Sequence, residues 1–140
     1  MIYYAVLDTN VLVSSLLTKN ADSATAQMLN LIAEGTIIPV YNPDILREYR
    51  EVLHRPKFSF SPFRIRQLLS VIQQFGDLID PIPSEEAFLP DASDRVFYEV
   101  TLAKREEGDA YLITGNLRHF PVRPFVVTPA EMLGIVHSDR

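Results

Sequence analysis

The sequence has no cysteine, and its 140 residues carry a formal net charge of −5. The lack of cysteine excludes disulfides and cysteine-ligated zinc sites. The negative charge argues against a protein that coats nucleic acid through bulk positive charge, but not against a nuclease with an acidic active site. No apolar run approaches the roughly 20 residues that a membrane helix needs, and no basic leader with a small-residue cleavage site is present. These absences predict a cytoplasmic protein without membrane contact.

Apolar runs alternate with segments of helical spacing along the chain. The predicted strands are residues 2–7, 36–41, 78–82, 110–114 and 125–127. The predicted helices are residues 11–17, 23–34, 43–54, 61–76, 94–105 and a short one that opens at Thr128. Because strands and helices alternate, the sequence predicts an α/β sandwich around a mostly parallel sheet of four to five strands. Since 47% of the residues are hydrophobic, we expect residues 1–140 to form a single domain with one core.

The stretch YYAVLDTNVLVSSLL interrupts an apolar run with three polar residues, Asp8, Thr9 and Asn10. They follow the first predicted strand directly. In parallel sheets of this kind, ligands bind beyond the carboxyl ends of the strands. A carboxylate at this place is therefore a candidate for catalysis, although the local sequence also fits a plain helix cap. Thr9 and Asn10 are candidates to orient Asp8 or to hydrogen-bond a ligand.

Three further acidic residues stand at the rim or the start of predicted helices. Glu48 lies at the edge of an apolar arc, where a surface glutamate paired with Arg47 or Arg50 explains it as well. Asp94 begins the fifth predicted helix and Asp91 precedes it, and the helix dipole favours an acid at either position without any function. Two carboxylates at one helix entrance also suit a cation.

The segment LITGN ends a predicted strand with Thr114, Gly115 and Asn116. A plain turn explains the segment, but Asn116 also offers a carbonyl oxygen at the carboxyl edge of the sheet. A parallel sheet is able to bring this oxygen to the same edge as Asp8.

Asp8, Glu48, Asp94 and Asn116 together suggest a metal site. Clustered carboxylates repel one another unless a positive charge lies between them. Hard cations such as Mg²⁺ or Mn²⁺ take oxygen ligands, and Mg²⁺ usually combines one or two carboxylates with waters and a substrate phosphate. The sequence therefore predicts a divalent cation and, through it, chemistry on a phosphate ester.

Four segments resemble the PIN domain family in their order and spacing: VLDTNVLVSSLL, PDILREYREVL, DASDRVFYEV and YLITGNLRHFP. The closest likeness is to the ribonuclease toxins of toxin–antitoxin systems, and it extends from Ile2 to about Met132. The resemblance implies a Rossmann-like three-layer α/β/α sandwich and a metal-dependent endoribonuclease.

The resemblance also implies roles for individual residues. The first three acidic positions of the family match Asp8, Glu48 and Asp94, with Asp91 as a helper. The fourth position, commonly an aspartate, holds Asn116 here. Because asparagine brings no negative charge, we expect one firmly bound ion and a second that arrives, if at all, with the substrate. Three polar residues are expected to orient the ligands: Thr9, Asn10 and Thr114.

The expected RNA substrate has to bind an acidic protein. Six cationic residues lie in one stretch: Arg47, Arg50, Arg55, Lys57, Arg64 and Arg66. Such a patch is able to hold an RNA backbone, although a solvated helical face explains it equally. Arg118 and His119 follow Asn116 and are candidates to contact phosphate. The resemblance further implies a cognate antitoxin protein as a partner and a homodimer.

Two other functions are compatible with the same residues. In the first, the protein is a PIN-fold binding module with weak or no catalysis, which the asparagine at position 116 favours. In the second, it is a haloacid-dehalogenase-type phosphatase that uses Asp8 as a nucleophile. Such phosphatases need a second aspartate two positions later, where this chain has Asn10.

Overall fold

The structure is a computed structural model that describes residues 1–82 and 92–139. Its centre is a five-stranded sheet in which every pairing is parallel, with the strand order β3-β2-β1-β4-β5. The strands are β1 (Tyr3–Leu7), β2 (Ile37–Tyr41), β3 (Asp77–Leu78), β4 (Ala110–Ile113) and β5 (Val126–Val127). The prediction of a mostly parallel α/β sheet with four to five strands is confirmed.

The helices form where the sequence provides apolar faces and start signals. They are α1 (Thr9–Leu17), α2 (Ala24–Ala33), α3 (Pro43–Leu53), α4 (Pro62–Phe75), α5 (Ala92–Arg105) and α6 (Pro129–Ser138). Several begin at side chains that accept a hydrogen bond from the first turn: Ser23, Asn42, Ser61 and Thr128. Such caps satisfy backbone N–H groups that the helix itself leaves unpaired. Within the described part of the chain, no helix is long and apolar enough to cross a membrane.

The central strand β1 is buried on both faces of the sheet. Successive strand residues point to opposite faces, and Ala5, Val6 and Leu7 are all at most 1% exposed. The same holds for Leu112 and Ile113 in β4. Burial on both faces is typical of a parallel sheet covered by helices on each side, which gives the predicted three layers.

The structure differs from the sequence-based prediction at β3. The predicted strand covers residues 78–82, whereas Asp77 and Leu78 pair with β2 and the Ile79 N–H donates a last hydrogen bond to the Tyr41 carbonyl. Pro81 has no N–H to donate to a neighbouring strand, and the N–H of Ile82 binds the carbonyl of Glu99 on α5 instead. The chain therefore leaves the sheet earlier than its apolar pattern indicates.

The parallel pairing of β1 with β4 aligns the carboxyl ends of the two strands. Leu7 lies opposite Ile113 in the register, and the N–H of Asp8 donates to the carbonyl of Ile113 at 2.9 Å. The next residues, Asp8 and Thr114, are consequently neighbours although they lie 106 positions apart. This register creates the centre of the candidate site.

Candidate active site

Asp8 is held at the carboxyl edge of the sheet by two side chains. It is only 6% exposed, and its Oδ2 accepts hydrogen bonds from Thr114 Oγ1 at 2.7 Å and from Asn10 Nδ2 at 3.0 Å. Asp8 takes the N-cap position of α1, but its side chain makes no capping hydrogen bond. A helix cap therefore does not explain why a carboxylate is buried here.

Burial raises the pKa of Asp8 above its ordinary value of 3.8. Removing a carboxylate from water disfavours its charged form. Four groups act in the opposite direction and offset only part of this effect: the Thr114 hydroxyl, the Thr9 backbone N–H, the His119 ring and the Asn10 amide. The site thus holds a negative charge that is under-compensated, and a cation would stabilise it.

A chain of contacts connects Thr114 to Asp94 on α5. The N–H of Asn116 donates to Thr114 Oγ1 at 3.0 Å, and Asn116 Nδ2 lies 3.0 Å from His119 Nε2. With the amide as donor, the ring proton lies on Nδ1, which is 3.8 Å from Asp94 Oδ2. These contacts connect Asp8, Asn116 and Asp94 in sequence along this side of the sheet, and their shared role as metal ligands stays a prediction.

Asn10 ties the start of α1 to the loop after β4. Its Nδ2 binds Asp8, and its Oδ1 accepts a hydrogen bond from the N–H of Gly115 at 3.0 Å. A Cβ atom at position 115 would lie 3.4 Å from Asn10 Oδ1, which is van der Waals contact, so the hydrogen bond rather than the absence of a side chain holds this loop. Asn10 uses both ends of its amide to fix the geometry around Asp8.

Glu48 lies at the rim of the site, next to Thr9. It is half-buried on α3, and Thr9 Oγ1 donates to its Oε2 at 3.3 Å. The buried Tyr49 hydroxyl below it donates to the carbonyl of Leu7 at 2.5 Å. The pKa of Tyr49 is raised well above 10.0, first by burial and then by the negative charges of Asp8 and Glu48. The ring of Tyr49 is therefore near both carboxylates.

Residues 4–118 match a family model described as the PIN domain. The chain belongs to the PIN domain family. PIN domains are generally nucleases, and the matched segment includes all four residues of the predicted metal site. No curated protein and no solved structure matches the chain.

The acidic groups that the structure describes in this PIN domain do not form a closed metal cluster. Among residues 1–82 and 92–139, no three aspartate, glutamate, histidine or cysteine side chains are grouped so that they could hold an ion. Asn116 is hydrogen-bonded to His119 and Glu48 to Thr9, while Asp91 lies outside the described residues. The described part of the site is an open edge with acidic and amide oxygens.

The candidate RNA-binding residues of the PIN domain lie on the surface. Arg47, Arg50, Arg118 and His119 are all exposed. Arg47 NH1 forms an ion pair with Asp44 at 2.9 Å, so one of the expected phosphate contacts already has an acidic neighbour. His119 is the best placed of them because it lies between Asn116 and Asp94.

Several contacts at the site were not predicted from the sequence. The sequence predicts His119 only as a phosphate contact and predicts no role in the site for Tyr49. The Tyr49 hydroxyl bonds to Leu7, which is distant in sequence. The contact of His119 with Asn116 depends on a short 3₁₀ turn at Leu117–His119. A histidine three residues after a strand-end asparagine is the one local signal that pointed to this pairing.

Thr114→Val is expected to lower the free energy of unfolding by about 1–2 kcal/mol, because the buried Asp8 carboxylate loses a donor. Thr101→Val is the matched control. Thr101 is equally buried at 0% exposure, but its hydroxyl donates only to the Phe97 carbonyl of its own helix, so its cost should stay within about 0.5 kcal/mol. Urea denaturation measures both. If both substitutions lower the free energy of unfolding equally, the Thr114–Asp8 hydrogen bond contributes nothing to stability.

Proposed function

We propose that this PIN domain is a Mg²⁺- or Mn²⁺-dependent endoribonuclease that hydrolyses phosphodiester bonds in RNA. The observation that supports it best is the burial of Asp8 at the carboxyl edge of the sheet, where Thr114 and Asn10 hold it rigidly. Burying an under-compensated carboxylate costs stability. Such a cost is typical of functional sites, where the group has a chemical task.

The residues at this edge suit a hard divalent cation. Asp8, Asp94 and Glu48 offer carboxylate oxygens and Asn116 an amide oxygen, and the charge on Asp8 lacks full compensation. The open arrangement is compatible with Mg²⁺, which needs only one or two carboxylates when waters and a substrate phosphate complete its shell. We assign Asp8 and Asp94 as the direct ligands, with Glu48 and Asn116 as further ligands. A bound ion would supply Lewis-acid chemistry, activating water and stabilising charge on the phosphate.

The other side chains of the site keep its groups in position. Thr114 and Asn10 fix one carboxylate oxygen of Asp8, so that the second oxygen faces a defined direction. Thr9 positions Glu48 in the same way, although at a longer distance of 3.3 Å. Pre-organisation of this kind lowers the cost of reaching the reactive geometry.

Arginine side chains around the edge, together with the His119 ring, would hold the RNA backbone. Arg118 and His119 follow the strand end that carries Asn116, and Arg50 lies on α3 with Glu48. Their side chains are exposed, so phosphates in solution are able to reach them. This local positive charge is how an acidic protein would attract RNA.

We further propose that the protein acts as the toxin of a toxin–antitoxin pair, with a cognate antitoxin and a homodimeric state. This role rests on the likeness of the four sequence segments to the ribonuclease toxins of the family. Co-purification with the product of a neighbouring small gene tests it. A tag-purified protein that stays monomeric and alone when both genes are expressed would contradict it.

A binding module without catalysis is the second candidate. The observation that favours it is the contact of Asn116 Nδ2 with His119, because this amide replaces a carboxylate and already has a partner. In this function the protein would hold RNA or a protein without cutting. Metal-dependent cleavage is what separates the two functions.

Cleavage of unstructured and structured RNA with Mn²⁺, and with the chelator EDTA, tests the proposed nuclease directly. We expect the wild type to cut RNA with Mn²⁺ or Mg²⁺ and to lose all cutting in EDTA. The Asp8→Ala variant should not cut under either condition. Equal cutting by the wild type and Asp8→Ala would indicate a contaminating nuclease or a different site, and no cutting by either would favour the binding module.

A further inference from the structure

A small cleft opens beside the acidic edge, on the side of α1 that faces α2 and α6. It has a volume of about 230 Å³. Its lining comes from the first helix, the second helix, the loop after β4 and the start of the last helix: Asn10, Val11, Ser14, Thr25, Gly115 and Pro129. The cleft lies outside the set of carboxylates and has no role in the chemistry described above.

Asn10 and Gly115 form a wall shared by the cleft and the acidic site. Asn10 Oδ1 accepts from the Gly115 N–H, and Asn10 Nδ2 is 3.0 Å from Asp8 Oδ2. A molecule in the cleft would therefore be separated from the buried carboxylate by one side chain. If an RNA strand crosses the acidic edge, the nucleotide next to the one at Asp8 is within reach of the cleft.

The chemistry of the lining points to a neutral and polar occupant. None of the six lining residues is charged, so the cleft offers nothing to pair with a phosphate. Ser14 lies four residues after Asn10 on the same face of α1, and Thr25 faces it from the first turn of α2. Ser14 is exposed and Thr25 half-buried, and within the described residues neither hydroxyl has a hydrogen-bond partner in the protein. A hydroxyl both donates and accepts, which suits the edge of a nucleobase.

The apolar part of the lining and the volume of the cleft are compatible with the binding of a single nucleobase. Val11 and Pro129 are buried and provide apolar surface. A volume of about 230 Å³ lies just below the range of about 300–1,000 Å³ that is typical for drug-sized ligands. Sequence-specific recognition of RNA usually takes unpaired bases that turn out of the strand into such pockets.

We propose that this cleft binds one unpaired base of the RNA strand next to the phosphate that is cut, and that Ser14 and Thr25 determine which base is preferred. The proposal rests on the proposed endoribonuclease function. It makes the cleft a specificity site, and Ser14 and Thr25 would act on substrate choice rather than on the chemical step.

The test uses unstructured RNAs of about 20 nucleotides that contain one mapped cleavage site and differ only in the base on each side of it. The wild type should prefer one base on one side, as measured by kcat/KM with Mn²⁺. Ser14→Ala and Thr25→Val should each reduce that preference about threefold, and the double variant about tenfold, as expected for neutral hydrogen bonds. Ser14→Leu should fill the cleft and lower kcat/KM about tenfold for every RNA. Ser70→Ala, an exposed serine on α4 outside the cleft, should change nothing.

Binding of the same labelled RNAs in EDTA, followed by fluorescence anisotropy, separates the two proposals. A base preference in binding that Ser14→Ala and Thr25→Val weaken supports the cleft even if the wild type does not cut RNA, in which case only the nuclease function fails. If the wild type shows metal-dependent cutting with a base preference, and Ser14→Ala, Thr25→Val and the double variant leave that preference intact, only the proposal for the cleft is overturned. No base preference in binding or in cutting would also overturn it.

Discussion

Asp8→Asn is expected to lower kcat for RNA cleavage by at least about 1,000-fold and, at the same time, to raise the free energy of unfolding. The activity falls because the substitution removes the negative charge at the centre of the site. The size of the loss corresponds to the removal of one pre-organised electrostatic group from an active site. Asparagine keeps an oxygen that is able to accept from Thr114 and Asn10, so the local structure should persist.

The gain in stability follows from the burial of Asp8. Burial raises its pKa in the folded protein above 3.8, so the ionised form costs stability at neutral pH. As the pH falls through the raised pKa, the folded protein takes up a proton before the unfolded chain does, and this cost disappears. The stabilisation by Asp8→Asn should therefore be about 1 kcal/mol at pH 7 and shrink as the pH approaches 3.8.

Kinetics on a short RNA and urea denaturation at several pH values measure these two effects. Asp109→Asn is the matched control, because Asp109 is exposed and precedes β4 at the opposite edge of the sheet. It should keep kcat within about twofold and stability within about 0.5 kcal/mol. An Asp8→Asn protein that remains active, or that unfolds more easily than the wild type at neutral pH, would contradict this account of the site.

Asn116→Asp is expected to tighten Mn²⁺ binding between about 10- and 100-fold, which corresponds to about 1.4–2.8 kcal/mol. The substitution supplies the carboxylate that the resemblance of the LITGN segment to the family implies for this position. The new carboxylate would lie at the same edge as Asp8 and Asp94, and all three carboxylates would attract a cation there. RNA cleavage at low Mn²⁺ concentration should be kept or raised. Without metal, the added charge should make the protein less stable, because like charges repel.

Calorimetric titration of Mn²⁺ into the wild type and the variant tests this prediction. Asn30→Asp adds the same charge at an exposed position on α2 and should leave the affinity within about twofold. If Asn116→Asp and Asn30→Asp bind Mn²⁺ equally, position 116 does not contact the ion. The contact of Asn116 with His119 would then be its main role.

Much of the fold can be predicted from the sequence because its signals are local. The caps at Asn42 and Thr128 and the apolar runs of β1 and β4 each depend on a few neighbouring residues. The arc on α3 likewise places Glu48 at a half-buried rim, as the structure shows. Polar residues follow β1 and β4, and ligands bind beyond the carboxyl ends of the strands in parallel sheets. The ends of these two strands therefore indicate the candidate site.

The remaining features depend on contacts that no local pattern encodes. The bond between Thr114 and Asp8 requires the register of two strands 106 positions apart. The early end of β3 depends on Ile82 finding a partner on α5. The cleft combines Ser14 and Thr25 from two helices with Pro129 from a third, and none of these residues differs by itself from an ordinary helix residue.

We propose that carboxylates from separate parts of the chain bind a divalent cation at the carboxyl edge of the sheet. A crystal soaked in MnCl₂, with anomalous difference density measured at the manganese edge, tests it most directly. We predict one strong peak between Asp8 and Asp94, within about 2.0–2.4 Å of an oxygen of each, with Glu48 or Asn116 turned towards it. A map without density at this edge, with the three acidic side chains directed away from one another, would contradict the claim.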